Sequence, residues 1–260
     1  MCALSVRGLV GTARFELATP CSQSRCATEL RHVPSVRKAY CHAPVDLVAE
    51  IVELARARDA AVVGITGGIA VGKSTVAAAV ASALGWPTVS TDGFIRPDAG
   101  DRKGYAESYD AAKIAAFIDA IRNDEKATAP RYSHLHYDVV GYDDIAARCI
   151  VVDGLHLGHS KLGLRDRIDV LVHLDAPTAV LSGWYLARFQ ELRTLARQDP
   201  SAFLHPYKDL DADVLDGMAM QVWRDLNAVV IEDEVRPTEG AADLIVRLGP
   251  DHAVVEIIRR

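Results

Sequence analysis

One nine-residue segment restricts this chain more than any other. Gly67-Gly-Ile-Ala-Val-Gly72-Lys73-Ser74-Thr75 follows the apolar, β-branched run Ala60-Ala-Val-Val-Gly-Ile-Thr66 and opens an alanine-rich, helical stretch over 73–84. A buried strand, a glycine-rich loop and a helix in that order satisfy G-x4-G-K-[ST], the phosphate-binding loop. The glycines let backbone N–H groups wrap a polyphosphate at the helix N-terminus, where the helix dipole favours negative charge. Lys73 then reaches the β- and γ-phosphates, and the Ser74 hydroxyl helps to hold Mg²⁺. Gly67, Gly68, Ile69, Ala70, Val71, Gly72 and Thr75 complete the cradle for a nucleoside triphosphate. A chance glycine-rich turn would lack the flanking strand and helix. Both are present.

The rest of the chain continues the alternation. Val45-Asp-Leu-Val-Ala-Glu-Ile-Val-Glu-Leu-Ala-Arg repeats apolar positions at helical spacing, as does Ala111–Ile121. Short apolar runs recur at Cys149–Val152 and Asp169–Leu174. Strands alternating with helices predict a parallel sheet covered on both faces. The expected fold is α/β, a P-loop NTPase of three α/β/α layers with a mainly parallel central sheet and a helical lid, formed by one domain over 45–260. A second strand, Thr88-Val-Ser, runs into Ser90-Thr-Asp92-Gly-Phe94. Asp92 would then stand at the carboxyl edge of the sheet, beside the phosphate loop, where a base can accept a proton from an attacking hydroxyl. The plainer role for such an Asp is to cap the next helix. Asp153, ahead of Gly154 at the end of a third apolar strand, is a Walker-B-like ligand for Mg²⁺.

The first 44 residues read differently. They hold Cys2, Cys21, Cys26 and Cys41, leaving only Cys149 beyond, and carry net +4 within a chain of net −6. Cys21 and Cys26, with His32 and His42 downstream, form one candidate zinc set. The preferred reading is a mis-assigned gene start. Phe15-Glu16 can be encoded by the reverse complement of a transfer-RNA T-loop, and Cys21–Cys26 by the complement of a proline anticodon stem and loop. The native protein is then expected to begin between Val33 and Val45, with 1–44 a non-native or disordered leader. The composition, 50% hydrophobic and 25% charged, excludes wholesale disorder. Negative net charge argues against nucleic acid as a partner. No apolar run is long enough to span a membrane, and the opening is too short for a secretory signal, so a cytoplasmic protein is expected.

Several further motifs occur in a fixed order: Thr91-Asp-Gly-Phe94, Glu107-Ser-Tyr-Asp110, Tyr132-Ser-His-Leu135 with Tyr137-Asp138, Trp184-Tyr185 with Arg188-Phe189, then Asp199-Pro200, Phe203, Tyr207, Trp223 and Asp251-His252. Together with the phosphate loop they resemble the type I pantothenate kinase family, within the group that contains uridine kinase and phosphoribulokinase. The resemblance covers residues 60–260. It implies ATP-dependent phosphorylation of pantothenate on the route to coenzyme A, with Asp92 as base and Arg188 as a lid arginine that neutralises phosphate charge. It also implies a pantothenate pocket lined by His134, Tyr137, Tyr185, Phe203 and Tyr207, and places His252 near the adenine. Homodimers are common in the family.

The departures matter too. The family's substrate-binding Asn, on the helix after Trp223, aligns with Val230, which removes an amide contact. An aromatic and a basic residue that contribute to coenzyme A feedback are replaced by Leu192 and Ala78. Two alternatives to pantothenate therefore stay open: a nucleoside or sugar kinase of the same fold, and a nucleotide-binding regulator without catalysis.

Overall fold

The computed structural model describes residues 45–260, so the leader and the candidate zinc set of the first 44 lie outside the described residues. Helix α1 (Val45–Ala57) starts the fold and buries Leu47, Ile51, Val52 and Ala55 along one face. Strand β1 (Val62–Gly67) is buried along its whole length and passes through the phosphate loop into α2 (Lys73–Leu84). β2 (Thr88–Ser90), β5 (Ile150–Asp153), β6 (Val170–Asp175), β7 (Leu244–Leu248) and β8 (Val254–Arg259) complete a six-stranded sheet in the order β2-β5-β1-β6-β7-β8. Every neighbouring pair is parallel except β7–β8. Parallel strands joined by helical crossovers bury both faces of a sheet, which is why β1, β5 and β6 read as unbroken apolar runs.

The period-two alternation of strands divides the core. Val63, Ile65, Val170, Val172 and Leu174 pack under α1 and α2, while Val62, Ile150, Val152 and Leu171 face α3 (Ala111–Arg122) and its Ile114, Phe117, Ile118 and Ile121. The layers are thus α/β/α, as expected. At the amino ends of the strands, Asp169 accepts hydrogen bonds from the backbone of Ala61 and Val62, and Asp243 accepts from Arg165 Nη2 at both its oxygens and from the Leu171 amide. These charge-assisted bonds close the sheet edge opposite the phosphate loop.

Three features outside the sheet shape its carboxyl edge. A two-stranded antiparallel hairpin, β3 (Ala127–Ser133) and β4 (Asp138–Ile145), forms its own sheet; the sequence reading had no strands there. The helix α4 (Thr178–Ala196) buries only Leu181 and Ala196 completely and leaves the rest of its length half-buried or exposed. Finally, α5 (Ala212–Val222) runs on through a π-helical turn Trp223–Asn227, one α turn Ala228–Val230 and a second π-helical turn Ile231–Val235. π-turns are rare and concentrate at functional sites.

Candidate active site

The phosphate loop is held by backbone geometry that few residues permit. Gly67 has φ +138°, and a Cβ there would lie 2.0 Å from the Leu174 carbonyl oxygen of the adjacent strand. Gly72, at the N-cap of α2, is left-handed and gives no side-chain cap, so the first N–H groups of α2 face the loop without an internal partner. That arrangement fits a polyphosphate. Lys73 donates from Nζ to the Gly68 carbonyl at 2.8 Å. Burial lowers its pKa to about 8, against the opposing pull of Asp92 and Asp153.

The Ser74 hydroxyl donates to Asp153 Oδ2 at 2.8 Å. Burial pushes the Asp153 carboxyl up to about 6, with the Ser74 hydrogen bond acting in the opposite direction. A hydroxyl and a carboxylate side by side are the hard oxygen donors that suit Mg²⁺, which usually takes one or two protein ligands and keeps the rest for phosphate and water. Gly154 brings this pair toward Asp92, because a Cβ at Gly154 would meet Thr91 Oγ1 at 2.1 Å. The neighbouring pairing of Ser90 with Asp153 fixes the same approach.

Asp92 opens into a cavity of about 230 Å³ that also receives His134, Tyr137, Tyr185, Arg188 and Phe203 from the residues expected by sequence. His134 Nε2 stands 3.4 Å from Asp92 Oδ2. Burial, and then the charge of Arg188, lower the His134 pKa, so its ring is neutral near pH 7. Tyr137, itself left-handed at φ +58°, packs on Phe203 with centroids 4.9 Å apart. Burial pushes the Tyr185 phenol up to about 12.

Two positions expected to line the acceptor pocket, Val230 and Tyr207, do not do so. Val230 is fully buried against Leu155 and Val235 and does not line the cavity; the amide that does is Asn227, hydrogen-bonded to Tyr185. Val230 lies in the short α turn between the two π-helical turns, and its side chain packs inward with Leu155 and Val235, while Asn227 at the end of the first π turn reaches the cavity. Asn227 was legible in principle as the only amide between Trp223 and Val235. Tyr207 packs with Ala196, Ala202 and Leu204 behind Phe203 rather than lining the cavity. His252, left-handed at φ +60°, stacks on Trp184 with centroids 3.6 Å apart, and Trp184 donates to the Pro250 carbonyl.

Lys103 is a charged lining residue that the sequence reading did not single out. Its ammonium lies 3.6 Å over the Tyr137 ring and 3.2 Å from the Tyr132 hydroxyl, and burial lowers its pKa. One lysine immediately ahead of Gly104, on a loop without periodicity, carries no signal of its own. Lys73, Lys103 and Arg188 thus bring three cations around two carboxylates, a field suited to charge developing on a transferring phosphoryl group.

A three-layer sheet with a phosphate loop, an edge aspartate and a helical lid defines a P-loop kinase. The comparisons with known proteins agree. The chain is 37% identical over 226 residues to a pantothenate kinase from Streptomyces avermitilis, across 76% of this chain and 69% of that protein. It is 35% identical over 216 residues to a pantothenate kinase from Sorangium cellulosum, across 74% of this chain and 70% of that one. This chain belongs to the pantothenate kinase family. No family model matches it. Among solved structures, a provisionally named fructose transport system kinase from Silicibacter superposes with TM-score 0.56 at 22% identity, over 76% of this chain and 98% of that one. A circularly permuted P-loop kinase from Saccharomyces cerevisiae superposes with TM-score 0.53 at 11% identity, over 78% and 98%. At those identities the likeness concerns the fold. Among the described residues, no helix is long and apolar enough to cross a membrane.

Proposed function

We propose that this protein transfers the γ-phosphoryl group of ATP to the primary hydroxyl of pantothenate. The observation that carries the reading is the convergence of Asp92, Lys73, Asp153 and Arg188 at one sheet edge, beside a cavity with an amide, phenols and aromatic walls. Pantothenate combines a primary alcohol, a secondary amide and a carboxylate. Asn227 and Tyr185 offer complementary amide and phenol groups, and Phe203 and Phe189 offer apolar walls.

Asp92 orients the acceptor hydroxyl and takes its proton as the new O–P bond forms and the bond to the leaving ADP breaks. Lys73 and Arg188 stabilise the equatorial phosphoryl oxygens, and the uncapped turn of α2 supports the β-phosphate. Ser74 and Asp153 would hold Mg²⁺, which neutralises phosphate charge when bound; the positive ion favours the ionised form of Asp153 that burial alone disfavours. Movement of α4, half-exposed along its length, closes Arg188 over the reacting groups and excludes water. Within this reading the protein works as a cytoplasmic homodimer with small-molecule substrates, and residues 45–260 hold the kinase domain.

The test is an ADP-release assay on the full chain with ATP·Mg²⁺ and a panel of pantothenate, uridine, cytidine and simple sugars. Turnover with pantothenate at least tenfold above the other acceptors is expected. Turnover with a nucleoside or sugar and silence with pantothenate would move the acceptor elsewhere, and silence with all would point to a regulator.

A further inference from the structure

Asp92 has two carboxylate oxygens, and its surroundings treat them differently. Oδ2 faces His134 at 3.4 Å, on the cavity side. Oδ1 accepts a hydrogen bond from the Tyr109 hydroxyl at 3.3 Å. Tyr109 does not line the cavity and is only 4% exposed, so it acts from behind the carboxylate.

The phenol is fixed from several directions. The backbone of residues 108–110 is stitched to the Asp92 segment: Arg96 donates to the Ser108 carbonyl at 2.8 Å, and Asp110 to the Phe94 carbonyl at 2.9 Å. Ile95 and Tyr109 form an isolated antiparallel bridge between the two. The Tyr109 ring meets the His156 ring edge-on at 5.4 Å, and His156, almost fully buried, is held by the Gly104 carbonyl at 2.8 Å from Nε2. Burial first, and then the negative charge of Asp92, keep the Tyr109 phenol protonated far above its ordinary range. It therefore serves as a donor at every working pH.

We propose that Tyr109 is the positioning residue of the base: by holding Oδ1 of Asp92 it leaves Oδ2 as the oxygen presented to the acceptor hydroxyl. This rests on the reading of Asp92 as base. The acceptor proton passes to Oδ2 while the acceptor oxygen bonds to phosphorus and ADP departs with the electron pair of the broken P–O bond. Tyr109 keeps its own proton throughout. A hydrogen bond to a charged oxygen is stronger than one to a neutral group, so its loss falls on the step in which Asp92 meets the acceptor hydroxyl.

Tyr109→Phe removes one oxygen and keeps the ring that packs on His156. The expected result is a fall in kcat of about 10- to 100-fold, the span of a hydrogen bond to a charged group. The KM for ATP·Mg²⁺ should stay within twofold, and the acidic limb of the kcat profile should move to higher pH. In an Asp92→Asn background the same substitution should cause no further loss, because the group it positions is gone. An unchanged urea midpoint for Tyr109→Phe confirms that the folded state is being compared. If the variant misfolds, 3-fluorotyrosine incorporated at position 109 replaces it, and the acidic limb should then move to lower pH because the phenol is a stronger donor. Tyr109→Phe with unchanged kcat and pH profile, while Asp92→Asn is inactive, would overturn the positioning role and leave the base intact. Full turnover in Asp92→Asn would instead remove the base itself.

Discussion

His173 offers a sharp test of how this core is built. It sits on β6, paired across to Thr66 and Ile245 on the neighbouring strands, with zero exposure and with neither ring nitrogen bonded to a partner. Burial lowers its pKa from 6.5 to about 4, with Asp175 and Glu239 opposing. In the unfolded chain the imidazole keeps its ordinary affinity for protons, so between these two values the unfolded state binds more protons than the folded one. Stability must therefore fall as pH drops through that window and is fully kept above it. The complete effect corresponds to about 3 kcal/mol, and about 2 kcal/mol of it is lost between pH 7 and pH 5. His173→Leu replaces the ring with an apolar side chain and removes this dependence. His156, also buried and lowered to about 4, and Asp153, raised to about 6 and acting with opposite sign, are common to both proteins. Urea unfolding of wild type and His173→Leu at pH 7 and pH 5 should show the wild type losing about 2 kcal/mol more than the variant. Equal losses would mean that the folded protein accommodates the imidazolium, and the account of this strand would be wrong.

Other outcomes follow from the site. Gly67→Ala forces a Cβ to 2.0 Å from a backbone oxygen at a positive φ, so it should lower the thermal midpoint and weaken ATP binding more than tenfold, both measurable by calorimetry. Asn227→Ala should raise the KM for pantothenate at least fivefold with little change in the KM for ATP, whereas Val230→Ala should cost about 1–3 kcal/mol of stability as a packing defect. Leu192 lines the acceptor cavity and Ala78 is exposed on α2, so turnover at millimolar coenzyme A should stay above half of its uninhibited value; strong inhibition would show that feedback needs neither an aromatic nor a basic side chain there.

What could be foreseen in the sequence and what could not have physical causes. The phosphate loop, β1, β5 and β6 were legible because buried parallel strands are continuous apolar runs and because Gly67, Gly72, Lys73 and Ser74 follow from the needs of a polyphosphate. Asp92 and Asp153 followed from their positions at strand ends. The hairpin β3–β4 was not foreseen, since β3 buries only the small Ala127 and Ala129, β4 alternates exposed and half-buried positions, and Pro130 and Gly141 interrupt the pattern. Lys103 and Tyr132 reach the cavity only through that hairpin and the loop beside it. Val230 was singled out by its alignment with the family's Asn, whereas its side chain is in the core and Asn227 lines the cavity; nothing in the local sequence announces the two π-helical turns that flank Val230. His173 was read as one more position of an apolar strand, which is where it lies; its missing partners are a tertiary fact.

The central claim is phosphoryl transfer to the alcohol of pantothenate, and the most direct measurement is of the product itself. Full-length protein would be incubated with ATP·Mg²⁺ and pantothenate, and the mixture followed by ³¹P NMR and mass spectrometry. The account predicts one phosphomonoester on the primary hydroxyl for each ADP formed, absent in Lys73→Ala. ADP without that ester, or no ADP while the folded protein binds ATP, would contradict it.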